Sequence, residues 1–174
     1  TRIGQRRKPK IIRITKRFHM TKIGLIGCGM WGRNLARNLA QLGVLTAVAD
    51  KSARHAADFA SQFGLEARPI NAMPIDTMLA DATIDGIVIA SAAPSHVELA
   101  VASLQAKKHV YVEKPLALDL AGAKAIAAAA AAHGKQVMVG HLIRYHAAFI
   151  ELQTQIAGGA VGRLRHIQAN RLAM

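Results

Sequence analysis

Apolar residues recur along the chain in two alternating patterns. Short continuous apolar runs, typical of buried parallel strands, alternate with longer stretches that have the spacing of one-sided helices. The predicted strands are 22–26, 44–49, 67–70, 87–90, 108–112 and 136–139. The predicted helices are 30–42, 53–63, 75–79, 94–106 and 120–133. Strands joined by crossover helices predict an α/β fold with a doubly wound parallel sheet.

The pattern changes after residue 140. A helical stretch over 146–156 is followed by a glycine turn, and residues 163–172 have the alternation of a strand. A segment this short falls below the roughly 40 residues that usually fold alone. We therefore expect 20–140 to form one domain, and 141–174 to be the connecting helix and first strand of an incomplete, truncated α+β second domain.

The turn after the first predicted strand carries the candidate chemistry. Gly27, Gly29 and Gly32 form a G-x-G-x-x-G pattern between that strand and a helix, and Asp50 closes the next strand. Such glycines allow a tight turn, close approach of a pyrophosphate and close packing of the helix, whose N-terminus favours phosphate. The Asp50 carboxylate can accept both ribose hydroxyls and would repel a 2′-phosphate. The pattern predicts a Rossmann-type dinucleotide-binding fold that prefers NAD to NADP.

Composition narrows the class of protein. Hydrophobic residues make up 52% of the chain and aromatic residues only 4%, so the core must be aliphatic. The single cysteine, Cys28, cannot form an internal disulfide, which agrees with a reducing compartment and leads us to expect a cytoplasmic protein. No apolar stretch has the length of a membrane span. His141 and His146 lack an acidic third ligand, so no metal site is expected.

The positive charge is concentrated at the start of the chain. The net charge is +13, and residues 1–19 contain eight lysines or arginines and no acid. We interpret this segment as a basic, disordered leader, vector-derived or mis-assigned, ahead of a natural start at Met20. The alternative is a non-catalytic NAD-binding module with a basic arm for nucleic acid or an anionic surface. We expect no nucleic-acid partner.

Further motifs follow the later strands and resemble a known family. Glu113-Lys114-Pro115 follows the fifth strand, residues 91–96 follow the fourth, and residues 140–146 follow the sixth. Over residues 20–174 the order and spacing resemble the glucose–fructose oxidoreductase / inositol dehydrogenase / MocA family of NAD(P)-dependent sugar dehydrogenases. Within it, the glycine loop and the 140–146 segment are most similar to the branch of UDP-N-acetylglucosamine (or its uronic acid) 3-dehydrogenases.

The resemblance implies an enzyme that transfers a hydride between a sugar or nucleotide-sugar CH–OH group and NAD. It also implies a large second domain, a homo-oligomer when full length, and no membrane partner. The chain alone is expected to bind cofactor without turnover. By resemblance, the cofactor-binding positions are Gly27, Gly29, Met30, Trp31, Gly32, Asp50, Ser91, Ala92, His96, Glu113 and Lys114. By resemblance, the substrate-binding positions are Lys114, Arg144 and Tyr145.

Lys114 is the candidate catalytic residue. It lies at the carboxyl end of a parallel strand, where ligands of open α/β sheets bind, and Pro115 favours an extended backbone that aims its side chain outward. An ammonium there can stabilise charge developing on an alcohol oxygen or take part in proton transfer. The alternative is a solvated surface turn. His96 has two interpretations as well: a position at a helix N-terminus near the cofactor, or a residue that caps that helix or sits on the surface.

Overall fold

The computed structural model describes residues 20–64 and 69–170. The basic segment 1–19, and with it the proposed nucleic-acid arm, lies outside the described residues. Six strands alternate with six helices and two 3-10 turns. The strands are β1 (Ile23–Ile26), β2 (Leu45–Ala49), β3 (Asn71–Ala72), β4 (Gly86–Ile89), β5 (His109–Val112) and β6 (Val137–Val139). The helices are α1 (Met30–Gln41), α2 (Ala53–Phe63), α3 (Ile75–Ala80), α4 (His96–Gln105), α5 (Leu120–His133) and α6 (Ala147–Ala157), and the 3-10 turns are Ala93–Ser95 and Leu142–Tyr145.

All strand pairs are parallel, and the sheet order is β3-β2-β1-β4-β5-β6. This is the doubly wound Rossmann order, so the predicted fold class is confirmed. The order reverses between β1 and β4, where the chain leaves one half of the sheet and begins the other. A crevice opens at the carboxyl ends of strands at such a point.

The third strand lies further along the chain than predicted. The expected range was 67–70; residues 67 and 68 lie outside the described part, and among the described residues pairing with β2 occurs at Asn71 and Ala72 rather than at 69 and 70. Proline has no backbone N–H to give to a ladder, so Pro69 disfavours pairing at its own position. The remaining predicted strands match within two residues, and residues 65–68 lie outside the described part.

Helices cover both faces of the sheet, as the apolar strands require. On one face, Leu25 and Val88 pack with Ala36 of α1 and Phe59 of α2. On the other face, the packed side chains come from α3, α4, α5 and the opposite sides of the strands; they include Met78, Ile87, Ile89, Leu104 and Ile126. Among the described residues, Phe59 is the one aromatic side chain of the two buried clusters, in agreement with the low aromatic content.

Helix termini carry the capping residues expected from the sequence. The Ser52 hydroxyl accepts a hydrogen bond from the His55 N–H at 3.2 Å, and Asp119 accepts one from the Gly122 N–H at 2.7 Å. Gly134 ends α5 with a left-handed φ of 60°. Within the described residues, no helix has both the length and the apolar character needed to span a bilayer.

The predicted strand at 163–172 is wrong over the residues that the structure describes. Residues 164–170 have no regular structure and are exposed, and 171–174 lie outside the described part. A strand needs a neighbouring edge to satisfy its backbone groups, and no other strand of the described chain lies beside this segment. The division of 141–174 into a second domain stays a prediction.

Candidate functional site

A cleft of about 980 Å³ opens at the carboxyl ends of β4, β5 and β6. It is bounded by the end of the glycine turn on one side and by the segment after β6 on the other. Its lining residues are Trp31, Ala90, Ser91, Glu113, Lys114, Pro115, Gly140, His141, Leu142, Ile143, Arg144 and Phe149. The cleft therefore lies in the second half of the sheet and touches the first half through Trp31.

Two glycines of the turn are required by the fold itself. Gly27 has a φ of +101°, and a Cβ there would lie 2.6 Å from the Ala90 backbone at the end of β4. A Cβ on Gly32 would lie 2.0 Å from the Gly27 carbonyl oxygen. Any side chain at either position would push α1 or β4 away from β1.

Gly29 differs, because a Cβ there would meet nothing within 4 Å. It is the N-cap of α1 and makes no side-chain capping bond. The first backbone hydrogen bond of α1 runs from the Arg33 N–H to the Gly29 carbonyl, at 3.0 Å. The N–H groups of residues 30–32 therefore have no partner within the helix. Met30 and Trp31 are 87% and 42% exposed. The open space and the unpaired donors fit a diphosphate.

The Asp50 carboxylate is turned toward the glycine turn and held there. Its Oδ2 accepts the Cys28 N–H at 2.9 Å, and its Oδ1 accepts the Ser52 N–H at 3.1 Å. His55 Nδ1 lies 3.7 Å from Oδ1. Partial burial alone would raise the pKa of Asp50, but the hydrogen bonds from Cys28 and Ser52, with His55, outweigh it and lower that pKa. Asp50 is thus an oriented anion beside the turn.

Cys28 is not a nucleophile. Its side chain is 2% exposed, and its thiol faces the Ala49 carbonyl at 3.7 Å. Burial, followed by the neighbouring Asp50 charge, raises the pKa of the thiol to about 12. The thiolate is therefore absent at neutral pH, and the residue serves as a small side chain within the turn.

Glu113 forms the floor of the cleft. It is only 6% exposed, and its carboxylate accepts the Tyr111 hydroxyl at 2.8 Å and the Lys114 N–H at 3.2 Å. Gly140 leaves room for this pair, since a Cβ there would lie 2.5 Å from the Tyr111 hydroxyl and 2.7 Å from Glu113 Oε1. The pKa of the Tyr111 phenol is raised above its ordinary range. The causes, from the largest to the smallest, are burial, the hydrogen bond to Glu113, the charge of Glu113 and the charge of Tyr145.

Lys114 stands above this pair with an exposed side chain that lines the cleft. The Lys114–Pro115 peptide bond is cis. The residue lies beyond the carboxyl end of β5 and at the edge of the cleft. The catalytic role itself stays a prediction.

His96 is buried rather than exposed, which corrects the surface interpretation. It is 1% exposed, with Nδ1 2.7 Å from the Pro115 carbonyl and Nε2 3.1 Å from the Ser91 carbonyl. The ring thus joins the loop after β4 to the loop after β5. Among the described residues, His96 is not one of those that line the cleft, but its two contacts, Ser91 and Pro115, are.

The remaining predicted residues divide between the cleft and its surroundings. Ser91 and Arg144 line the cleft. Ala92 is exposed just before the 3-10 turn, and the Ser91 hydroxyl is bonded to that of Ser95 at 2.7 Å. Tyr145 is 66% exposed and lies outside the lining residues.

Sequence reasoning missed Gly140 and Phe149, which line the cleft, and Tyr111, which donates to Glu113. A signal was present, because Tyr111 and Glu113 are two positions apart and so point to the same face of an extended chain. The structure brings five of the predicted residues into one cleft: Trp31, Ser91, Glu113, Lys114 and Arg144. Gly27, Gly29, Gly32 and Asp50 form a second group at the neighbouring turn.

Comparison with known proteins places these features in a family. The family model described as "Oxidoreductase family, NAD-binding Rossmann fold" matches residues 21–141. An inositol 2-dehydrogenase from Acidothermus cellulolyticus is 36% identical over 146 residues, which cover 81% of this chain and 42% of the relative. A UDP-N-acetylglucosamine 3-dehydrogenase from Acidithiobacillus ferrooxidans is 33% identical over 156 residues, covering 90% and 46%.

A solved structure agrees with these relatives. The scyllo-inositol dehydrogenase from Lactobacillus casei, solved with bound NAD(H) and scyllo-inositol, superimposes with a TM-score of 0.73 at 25% identity. The match covers 82% of this chain and 42% of that one. The chain thus spans less than half the length of the relatives it matches. The family resemblance is confirmed: the chain belongs to the Gfo/Idh/MocA oxidoreductase family, through its NAD-binding Rossmann fold.

Proposed function

We propose that this chain is the cofactor-binding part of an enzyme that transfers a hydride between NAD and a CH–OH group of a sugar or cyclitol. The observation that carries the proposal is the Asp50 carboxylate, oriented by backbone N–H groups at the edge of an open glycine turn. The turn and the carboxylate lie next to a cleft with an exposed lysine, Lys114.

The glycine turn and Asp50 would hold the adenosine half of the cofactor. The diphosphate would lie over Gly29, where no atom blocks a close approach and the first N–H groups of α1 are unpaired. A carboxylate has about four acceptor sites. Two backbone bonds therefore leave Asp50 room to accept ribose hydroxyls. Its negative charge would disfavour a 2′-phosphate, so NAD is preferred to NADP.

The cleft residues would serve the reacting end. Bound NAD supplies the carbon that accepts the hydride. The alcohol must also lose its hydroxyl proton, and the Lys114 amine can stabilise the developing negative charge on that oxygen or receive the proton. Arg144, at the rim of the cleft, would bind an oxygen-rich substrate.

Two kinds of relative support the substrate class. Some act on inositol and one acts on a UDP-linked sugar, and the two kinds are similarly related to this chain. Their shared chemistry is a secondary alcohol on a polyhydroxylated ring. The proposed substrate class therefore includes nucleotide sugars as well as free sugars and cyclitols. Because the chain spans less than half of these relatives, we expect it to bind NAD without oxidising a sugar.

Calorimetric titration of the chain with NAD tests the proposal. Wild type should bind, and Asp50→Ala should weaken binding by about tenfold or more, which corresponds to about 1.4 kcal/mol. Asp58→Ala removes an exposed carboxylate from the same part of the molecule and should bind as wild type does. Absence of heat and of a thermal shift at millimolar NAD would contradict the proposal, and equal binding by Asp50→Ala would contradict the ribose assignment.

A further inference from the structure

Glu113 is a buried anion whose surroundings do not neutralise it. Both carboxylate oxygens accept hydrogen bonds, one from the Tyr111 hydroxyl and one from the Lys114 N–H. Within the described residues both oxygens face donors and neither faces an acceptor, an arrangement that suits a carboxylate. With 6% of its surface exposed, Glu113 has little water to screen that charge.

No cation balances Glu113 within the described residues. The two groups that donate to it, a phenol hydroxyl and a backbone N–H, carry no charge. Among the described residues, no lysine, arginine or histidine nitrogen lies within 4.0 Å of the Glu113 carboxylate. Lys114 reaches Glu113 through its backbone, while its side chain is exposed. The pKa of the Tyr111 phenol is raised, which keeps it a neutral donor. A buried charge without a partner is costly, unless a ligand supplies the opposite charge.

The position of Glu113 indicates which part of a dinucleotide would supply that charge. Asp50 closes β2 in the first half of the sheet, and Glu113 follows β5 in the second half. A dinucleotide lies across the two halves, so adenosine bound at Asp50 places the nicotinamide on the side of Glu113. The nicotinamide ring carries a positive charge when oxidised and none when reduced.

We propose that the Glu113 carboxylate is the counter-charge of the oxidised nicotinamide ring, so that the site favours NAD⁺ over NADH. The inference rests on the proposed function, since it requires that the chain bind the cofactor. The consequence is a difference in affinity between the two redox forms. The Glu113 charge strengthens the binding of NAD⁺ before an alcohol is oxidised, and this contribution is lost when the ring becomes the uncharged NADH. Tyr111 and Gly140 act as positioning residues, because one bonds Glu113 and the other leaves it space.

The test is the ratio of the two dissociation constants, measured by calorimetry on the full chain with NAD⁺ and with NADH. Glu113→Gln keeps the shape and removes the charge, and it should shift the ratio toward NADH by about tenfold. Glu98→Gln removes an exposed carboxylate from α4 and should leave the ratio unchanged. The Lys114 charge is the same in all three proteins, so the ratio isolates Glu113.

The outcomes separate this inference from the proposed function. If wild type binds neither form, the proposed function fails. If both forms bind and Glu113→Gln keeps the wild-type ratio within about twofold, the counter-charge assignment is overturned. If Glu113→Gln does not unfold cooperatively, the two dissociation constants of the wild-type protein test the assignment instead. Wild type should bind NAD⁺ at least as tightly as NADH. Binding of NADH that is more than about tenfold tighter would overturn the assignment.

Discussion

The two halves of the sheet build their parts of the site by different means. In the first half, the glycine turn owes its shape to backbone contacts, and Asp50 is oriented by backbone N–H groups. In the second half, side chains make the connections: the Tyr111 hydroxyl donates to Glu113, and the His96 ring lies between the backbone carbonyls of two loops. Backbone constraints fix which residues the motif must contain, whereas the contacts of Tyr111 and His96 join residues that are not adjacent in the sequence and leave no motif of their own.

Gly32→Ala should have the largest effect on stability, because it changes the glycine turn, whose shape depends on close backbone contacts. The added methyl would lie 2.0 Å from the Gly27 carbonyl oxygen, so α1 must move from β1. We expect the free energy of unfolding, measured in urea, to fall by about 3 kcal/mol or more.

Gly29→Ala is the matched control, since its methyl enters open space. It should change stability by less than about 1 kcal/mol and weaken NAD binding instead. Similar loss of stability in both alanine variants would contradict the distinction between a glycine required by packing and a glycine required by a ligand.

His96→Ala is the corresponding test of the half built by side chains. It leaves the Pro115 and Ser91 carbonyls without their imidazole partner and opens a cavity. Thermal and urea unfolding should show a loss of about 2–3 kcal/mol. His133→Ala, at an exposed position at the end of α5, should cost much less. Equal losses would mean that the ring does not join the two loops.

The two tyrosines provide a smaller and better matched comparison. Tyr111→Phe removes the donor to Glu113 and should reduce the free energy of unfolding by about 1–2 kcal/mol. Tyr145→Phe removes a hydroxyl from a side chain that is 66% exposed and should be nearly neutral. In the Tyr145→Phe protein, phenolate absorbance of Tyr111 should appear only above the ordinary range, because its pKa is raised. Phenolate formation near pH 10 in the folded state would contradict the burial of this hydroxyl.

The smallest effect is expected for stability in acid, and it concerns Asp50 in the first half of the sheet. The pKa of Asp50 is lowered in the folded state, so its contribution is complete above the ordinary carboxyl pKa of 3.8 and is lost as the pH falls through the folded value. Wild type should therefore lose stability on acidification below about pH 4 more steeply than Asp50→Asn. Asp58→Asn should follow the wild-type curve. Parallel curves for wild type and Asp50→Asn would show that the backbone bonds to Asp50 contribute no stability.

Most of the sheet could be predicted because buried parallel strands are continuous apolar runs. Five strands and the caps at Ser52 and Asp119 lie where the pattern placed them. The third strand was displaced because its short pairing depends on β2 and not on its own apolar content. The strand expected at 163–172 is absent over the described residues 163–170, because alternation alone cannot supply a neighbouring edge.

The candidate site was predictable to the same extent. The positions of Gly27, Gly32 and Asp50 follow from the turn, since few other residues satisfy its geometry. The burial of His96 did not follow, because its partners are carbonyls of loops that lie 5 and 19 residues away along the chain. Tyr111 was missed because an aromatic residue in a strand has the sequence signal of ordinary core.

Gly29 has a consequence for how this family evolves. Its two neighbours in the motif are protected by the architecture, so a descendant that stopped using a dinucleotide would still keep them. Of the three glycines, Gly29 is the one whose empty surroundings tolerate a larger residue, so it would be free to change once selection for the ligand ceased. A larger residue at the middle glycine would therefore report loss of the ligand in a chain that still folds, which a change at Gly27 or Gly32 would not.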